Sequence, residues 1–157
     1  MAEIARRLTT GELRYAVEIF GSSIDYTKVL VHNTEAYFFQ PSDTAITPNG
    51  EIYFPQESYK PDFSLKLTDA AWLIHELAHV WQHQRGMWVR TRGMLNRTYD
   101  YGDLATATRS FLSYGIEQQA SIVGDYFRLR HGLGPTRGQG PISAYEALIP
   151  FLPGRRR

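Results

Sequence analysis

The residues best equipped for chemistry in this chain are five in a row, His75-Glu76-Leu77-Ala78-His79. In a helix, a spacing of four residues brings two imidazoles to one face a single turn apart, where both can reach one tetrahedral Zn²⁺. Glu76 lies about 100° around such a helix from His75, an angle poor for ligation but suited to touching a water at the metal. A zinc ion lowers the pKa of that water toward ~7, and the carboxylate takes its proton as it attacks a carbonyl. Such a pattern can arise by chance on a polar helix face, and three of the five histidines do fall within His75–His83. This one sits among apolar residues, Leu73-Ile74 before it and Val80-Trp81 after it. A partly buried glutamate beside two histidines needs partners, and a metal supplies them.

A hydrolytic zinc site takes three protein ligands and leaves one position open. His83 is eight residues from His75, about 12 Å along a helix axis, too far to share one ion; it reads as a solvated helix residue. The longer pattern with a third histidine on the same helix needs Gly at position 82 and His at 85, where this chain has Gln82 and Arg85. The third ligand must therefore come from another segment. Glu117 is the choice, beside an apolar stripe and followed by small Ala120 and Ser121, which let its helix pack closely; Glu146, Asp125 and Asp103 are weaker alternatives. A tyrosine or histidine donor often assists zinc at an oxyanion, and Tyr114, Tyr99, Tyr101 and His131 are the candidates.

These residues must be held by recognisable elements. Thr9 and Glu12 have capping-box spacing, with Leu13, Ala16, Val17 and Phe20 following at helical intervals and Gly21 closing the helix. Val29–His32 is short and β-branched and reads as a strand. Thr44–Phe54 reads as a hairpin around Asn49-Gly50. The central helix runs from Ser64 or Thr68 to Arg85, with Gly86 as its stop. Leu67, Ile74, Ala78 and Trp81 mark its core stripe, and Trp72, His75, His79 and His83 lie on another side. Residues 86–108 read as irregular. A second long helix spans Ser110 to His131, buries Ile116, Ala120, Val123 and Phe127, and ends at Gly132. A short last helix covers Ser143–Leu148. Helix, a few strands, then helices make an α+β domain.

The whole molecule bounds the reading further. A length of 157 residues fits one domain, 1–157. There are no cysteines, so disulfides, thiolate zinc sites and cysteine nucleophiles are excluded. A net charge of +1 is no footprint for nucleic acid. The end of the chain, residues 150–157 with Arg155, Arg156 and Arg157, reads as a solvated basic tail. The first residues lack the apolar run of a secretory signal, and no stretch approaches the ~20 apolar residues of a membrane span. Synthesis in the cytoplasm, with any export by another route, is the expectation.

The motif with a downstream helical Glu117 resembles the gluzincin-type metallopeptidases, in which two His and one Glu bind zinc and the motif Glu is the base. A wider set of stretches is similar to the short Vgr-related proteins of bacterial type VI secretion loci. They are Val31-His32-Asn33, Thr47-Pro48-Asn49-Gly50-Glu51-Ile52-Tyr53-Phe54, His79-Val80-Trp81-Gln82-His83-Gln84 and Tyr114-Gly115-Ile116-Glu117-Gln118-Gln119-Ala120. The similarity takes in most of residues 6–131 and extends to the metallopeptidase domain fused to some VgrG spike proteins. It implies a zincin-like fold, with a small sheet and hairpin packed on the central helix and a second, ligand-bearing helix. It also implies zinc as cofactor, His75, His79 and Glu117 as ligands and Glu76 as base. There are departures: thermolysin-type relatives carry Asp four residues after the ligand Glu, where this chain has Ser121, and the chain is short for a long peptide cleft.

The expectation is thus a zinc metallopeptidase acting on protein or peptidoglycan peptide, a type VI secretion effector working in a target cell's periplasm. A VgrG-type spike or an immunity protein is the expected partner. Two alternatives stand beside it: a catalytically weak or inactive zincin-fold adaptor or binding module of the secretion apparatus, and a zinc amidase for small amides.

Overall fold

A computed structural model describes residues 2–87 and 98–154. Its helices are α1 (Thr10–Phe20), α2 (Leu67–Gln84), α3 (Ile116–Arg130) and α4 (Ile142–Leu148). Among the described residues five two-residue strands accompany them: β1 (Ala5–Arg6), β2 (Val31–His32), β3 (Ile52–Tyr53), β4 (Gly102–Asp103) and β5 (Gly138–Gln139). The α+β expectation holds. In one sheet β1 pairs antiparallel with β2 and β2 parallel with β3; in the other β4 and β5 run parallel.

The capping box forms at α1: Thr9 Oγ1 accepts from the Glu12 amide at 3.1 Å, and Glu12 accepts from the Thr9 amide at 2.9 Å. Glu12 does more than cap. It is fully buried, takes two bonds from the Arg6 guanidinium (2.8 and 3.0 Å) and one from the Phe63 amide (2.7 Å). That network turns α1 away from the expected face. Glu12, Ala16, Ile19 and Phe20 are buried, whereas Leu13 and Val17 are 37% and 45% exposed. The polar group wins its inward place because paired charge tolerates burial and an unpaired one does not.

Chain reversal at Thr44–Phe54 is present in a wider form than a tight hairpin. Ile46 and Tyr53 exchange both backbone hydrogen bonds, at 3.1 and 2.9 Å, and residues 47–52 loop between them. Pro48 has no N–H with which to continue the ladder. Gly50, at φ 84°, takes the left-handed turn and sits so close to α2 that a Cβ there would lie 2.5 Å from His83 Cδ2. The loop therefore rests on the end of α2.

Asp62 caps the turn Phe63–Leu65 that leads into α2, accepting from the Ser64 amide at 2.9 Å, and Gly86 ends that helix at φ 82°. Helix α3 begins later than Ser110. Phe111–Ser113 form a separate 3-10 turn and Tyr114-Gly115 are extended, because Gln118 Oε1 captures the Gly115 amide at 2.8 Å and starts the helix there. Its expected stripe is buried, and Gly132 follows its end at φ 81°. Helices α2 and α3 pack against each other with their apolar stripes forming the centre of the core. Phe151 and Leu152 are buried, Phe151 against Phe20 and Trp81 at ring distances of 5.1 and 4.7 Å. The exposed end of the chain thus begins at Pro153 rather than at residue 150. Arg155, Arg156 and Arg157 lie outside the described residues. No helix among the described residues is long and apolar enough to cross a membrane.

Candidate metal centre

His75 and His79 project from adjacent turns of α2, their rings 5.2 Å apart and nearly perpendicular. Glu117, in the first turn of α3, reaches across to both: its Oε1 lies 3.2 Å from His75 Nε2 and 2.8 Å from His79 Nε2. One donor atom from each residue falls within 4.8 Å of the others. A tetrahedral zinc with bonds of ~2.0–2.1 Å wants its donors about 3.3 Å apart, so the spacing suits such an ion.

The donor chemistry suits it as well. Gln82 Nε2 donates to the Ile116 carbonyl and to Gln119 Oε1, both at 3.0 Å, which fixes the amide so that its oxygen faces His79. That oxygen lies 2.8 Å from His79 Nδ1 and can only accept, so Nδ1 carries a proton and Nε2 is left for the site. Without an ion, Nε2 is protonated too and bonds Glu117. Burial by itself lowers the His79 pKa, but the carboxylates of Glu117 and Glu76 and the Gln82 bond outweigh it and raise it to about 9. Burial likewise raises Glu117, yet His79 and His75 hold it well below the usual carboxylate range. A divalent cation replaces that proton with a stronger charge at the same place.

Glu76 is 4% exposed, and its Oε1 accepts a hydrogen bond of 2.9 Å from Thr47 Oγ1 in the 47–52 loop. The other oxygen stands 4.0 Å from His75 Nε2, beside the donor cluster rather than in it. Gly124 lies at this contact: a Cβ there would lie 3.4 Å from His75 Cβ and 3.5 Å from the Ala71 carbonyl, so a small residue is compatible with the approach of α3 and a large one is not. These groups open onto a cleft of about 420 Å³, walled by Ala71 and Trp72 of α2, Asp43–Ala45, Tyr99, and Arg128 and Arg137. Ser121 lines it too, and its buried Oγ has no hydrogen-bond partner among the described residues.

The structure sorts the sequence candidates. His75, Glu76, His79 and Glu117 come together. Asp125 is saturated, accepting from Thr136 N and Oγ1, Arg137 N (each 2.9 Å) and Tyr101 OH (2.7 Å). Asp103 accepts from the Ala105 amide at 2.8 Å, and Glu146 from Tyr126 at 3.1 Å. Of the four proposed donors, Tyr99 lines the cleft, its ring 6.1 Å from that of His75. Tyr101 is buried against Tyr145 and Asp125, which together with burial push its pKa up. Tyr114 is covered by Arg109, 4.1 Å above its ring, and His131 pairs with Glu18 at 3.0 Å. His83 is exposed. Sequence reasoning missed Thr47, Gln82, Gly124 and the two cleft arginines. Gln82 carried a usable signal, three residues after His79 on the same helix face; Thr47 carried none.

No family model matches the chain. It is 37% identical, over an alignment 141 residues long that covers 85% of this chain, to the type VI secretion system spike protein VgrG2b of Pseudomonas aeruginosa, and it spans 14% of that protein. The solved effector domain of Pseudomonas aeruginosa VgrG2b superimposes with a TM-score of 0.76 at 32% identity, covering 94% of this chain and 83% of that one. Since both sequence and fold agree along nearly all of that domain, the chain belongs to the family of the VgrG2b effector domain.

Proposed function

We propose that this chain is a zinc-dependent metallopeptidase that serves as a type VI secretion effector. One observation carries the reading: two imidazoles from α2 and a carboxylate from α3 converge on a single point, with a second buried carboxylate, Glu76, standing just outside them. When bound, zinc supplies a Lewis acid that polarises a carbonyl and acidifies water. Glu76 takes the proton of the attacking water and passes it to the departing amide nitrogen, so that one carboxylate serves as base and then as acid. Thr47 holds one of its oxygens, leaving the other for that transfer. Gln82 keeps His79 in the tautomer that offers Nε2. Tyr99, which lines the cleft, is our candidate to donate toward the developing oxyanion.

The substrate is a peptide, from protein or peptidoglycan, lying extended in the cleft that residues 43–45 wall in part. Kinship with a spike protein's effector domain supports delivery by a VgrG-type spike to a target cell's periplasm, with an immunity protein protecting the producer. The test is peptide hydrolysis by the zinc-loaded protein and its Glu76→Gln variant. The variant is expected to keep one zinc per chain and lose at least about a hundredfold in kcat, the usual share of a general base. Equal turnover in the two proteins refutes the mechanism.

A further inference from the structure

The walls of the cleft differ in charge, and one cation on them has no counter-ion among the described residues. Arg128 stands on α3, eleven residues beyond Glu117, and is partly buried. Its Nε donates to the Gly134 carbonyl at 2.7 Å, which fixes the guanidinium plane. Among the described residues no carboxylate forms an ion pair with it, and residues 88–97 and 155–157 contain no Asp or Glu side chain. Asp125, one turn away, has both oxygens occupied by Thr136, Arg137 N and Tyr101. A partly buried guanidinium whose outer nitrogens lack an anion is costly unless something else supplies one.

Arg137 stands on the same side. The Asp125 bond pins its backbone, while its guanidinium lies 5.1 Å over the Tyr99 ring, which in turn lies 6.1 Å from the His75 ring. Those two steps together bring it within about three extended residues of the motif histidine, at ~3.3 Å per residue. Its contact with Asp100 is loose, 4.0 Å between groups that are 52% and 80% exposed. Arg128 is farther along, about 16 Å of helix rise from Glu117, or some five extended residues. Of the lining carboxylates, Asp125 beside the two arginines is already engaged by Thr136, the Arg137 amide and Tyr101, Glu76 and Glu117 belong to the donor cluster, and Asp43 is exposed.

We infer that Arg128 and Arg137 form an anion-binding subsite, and that the preferred substrates are peptides with a carboxylate within about five residues of the scissile bond. Guanidinium forks bind carboxylates in pairs of charge-assisted hydrogen bonds, and a cleft strengthens them by excluding water. The carboxylate comes from an acidic side chain or from a free C-terminus. This inference rests on the peptidase reading for its meaning, but its test does not.

The probes are three mixtures of randomised, fluorescently labelled peptides. One is free of acidic residues and amidated, one is amidated with a single Glu, and one is acid-free with a free C-terminal carboxylate. Binding is measured by anisotropy to zinc-loaded Glu76→Gln protein, and cleavage is measured with the parent. At least tenfold tighter binding of either carboxylate-bearing mixture is expected, and the mixture that gains identifies the source. Adding Arg128→Gln or Arg137→Gln should cut that ratio at least fivefold, and Arg128→Lys should retain part of it, as a purely structural role would not predict. Equal binding of all three mixtures, or a ratio unchanged by both Gln variants, overturns the subsite. Binding selectivity without any cleavage by the parent leaves the subsite standing and sinks the peptidase.

Discussion

At the scale of single residues, Gln82 and the His79–Glu117 pair make the sharpest predictions. Gln82 satisfies His79 Nδ1, the Ile116 carbonyl and Gln119 at once. Gln82→Met keeps the volume and removes all three bonds. Zinc affinity, read by competition with a chromophoric chelator, should fall about 10–100-fold, the usual cost of losing an outer partner of a ligand histidine. In the metal-free protein the pair itself titrates. The His79 pKa rises from 6.5 to about 9, so its contribution to stability is whole below pH 6.5 and fades as pH climbs through 9. Glu117 is lowered from 4.5, so its contribution is whole above pH 4.5 and fades as pH drops beneath that. The melting temperature of chelator-treated protein should therefore be highest between pH 4.5 and 6.5 as far as this pair is concerned. Glu117→Gln should flatten both flanks; unchanged flanks would show that the pair does not govern them.

At the scale of elements, the distance between α2 and α3 decides whether Glu117 reaches the histidines, and a small residue at position 124 is compatible with that distance. A methyl group there meets His75 Cβ at 3.4 Å, an ordinary contact. Gly124→Ala should fold and hold zinc, and gain up to about 1 kcal/mol from helix propensity. Gly124→Leu needs room that the interface lacks. It should bind zinc far more weakly while its far-UV circular dichroism stays helical; full zinc loading in the Leu variant would contradict the packing argument. The long helices were legible because their ends are written locally, in Thr9 with Glu12, in Gly86 and in Gly132. The motif residues were legible because their geometry is internal to one helix. Strands of two residues have no period to detect, and β4 with β5 went unseen. The face of α1 was misjudged because Arg6 and Phe63, which draw Glu12 inward, act from other segments. Thr47, Arg128 and Arg137 were beyond reach for the same reason: their roles exist only once distant segments meet.

Across the whole molecule, the last buried residues close the core beneath the motif helix. Phe151 packs against Trp81 of α2, Phe20 of α1 and Phe111, at ring distances of 4.7, 5.1 and 6.1 Å. Phe151→Ala should cost about 3–5 kcal/mol, as large-to-small changes in cores do. Chemical denaturation measures that loss, and a change under about 1 kcal/mol would mean the aromatic cluster relaxes around the gap. The seating of the 47–52 loop has a different consequence. Gly50 nests on His83 at one end of the motif helix while Thr47 grips Glu76 in its middle, so the loop and the helix lock one another. The Glu76 carboxylate is thus already held in the folded chain, before any target arrives. Under the proposed peptidase reading, a site primed in this way is competent in any compartment that holds the ion, which makes timing of delivery, rather than conformational gating, the natural place for the cell to exert restraint.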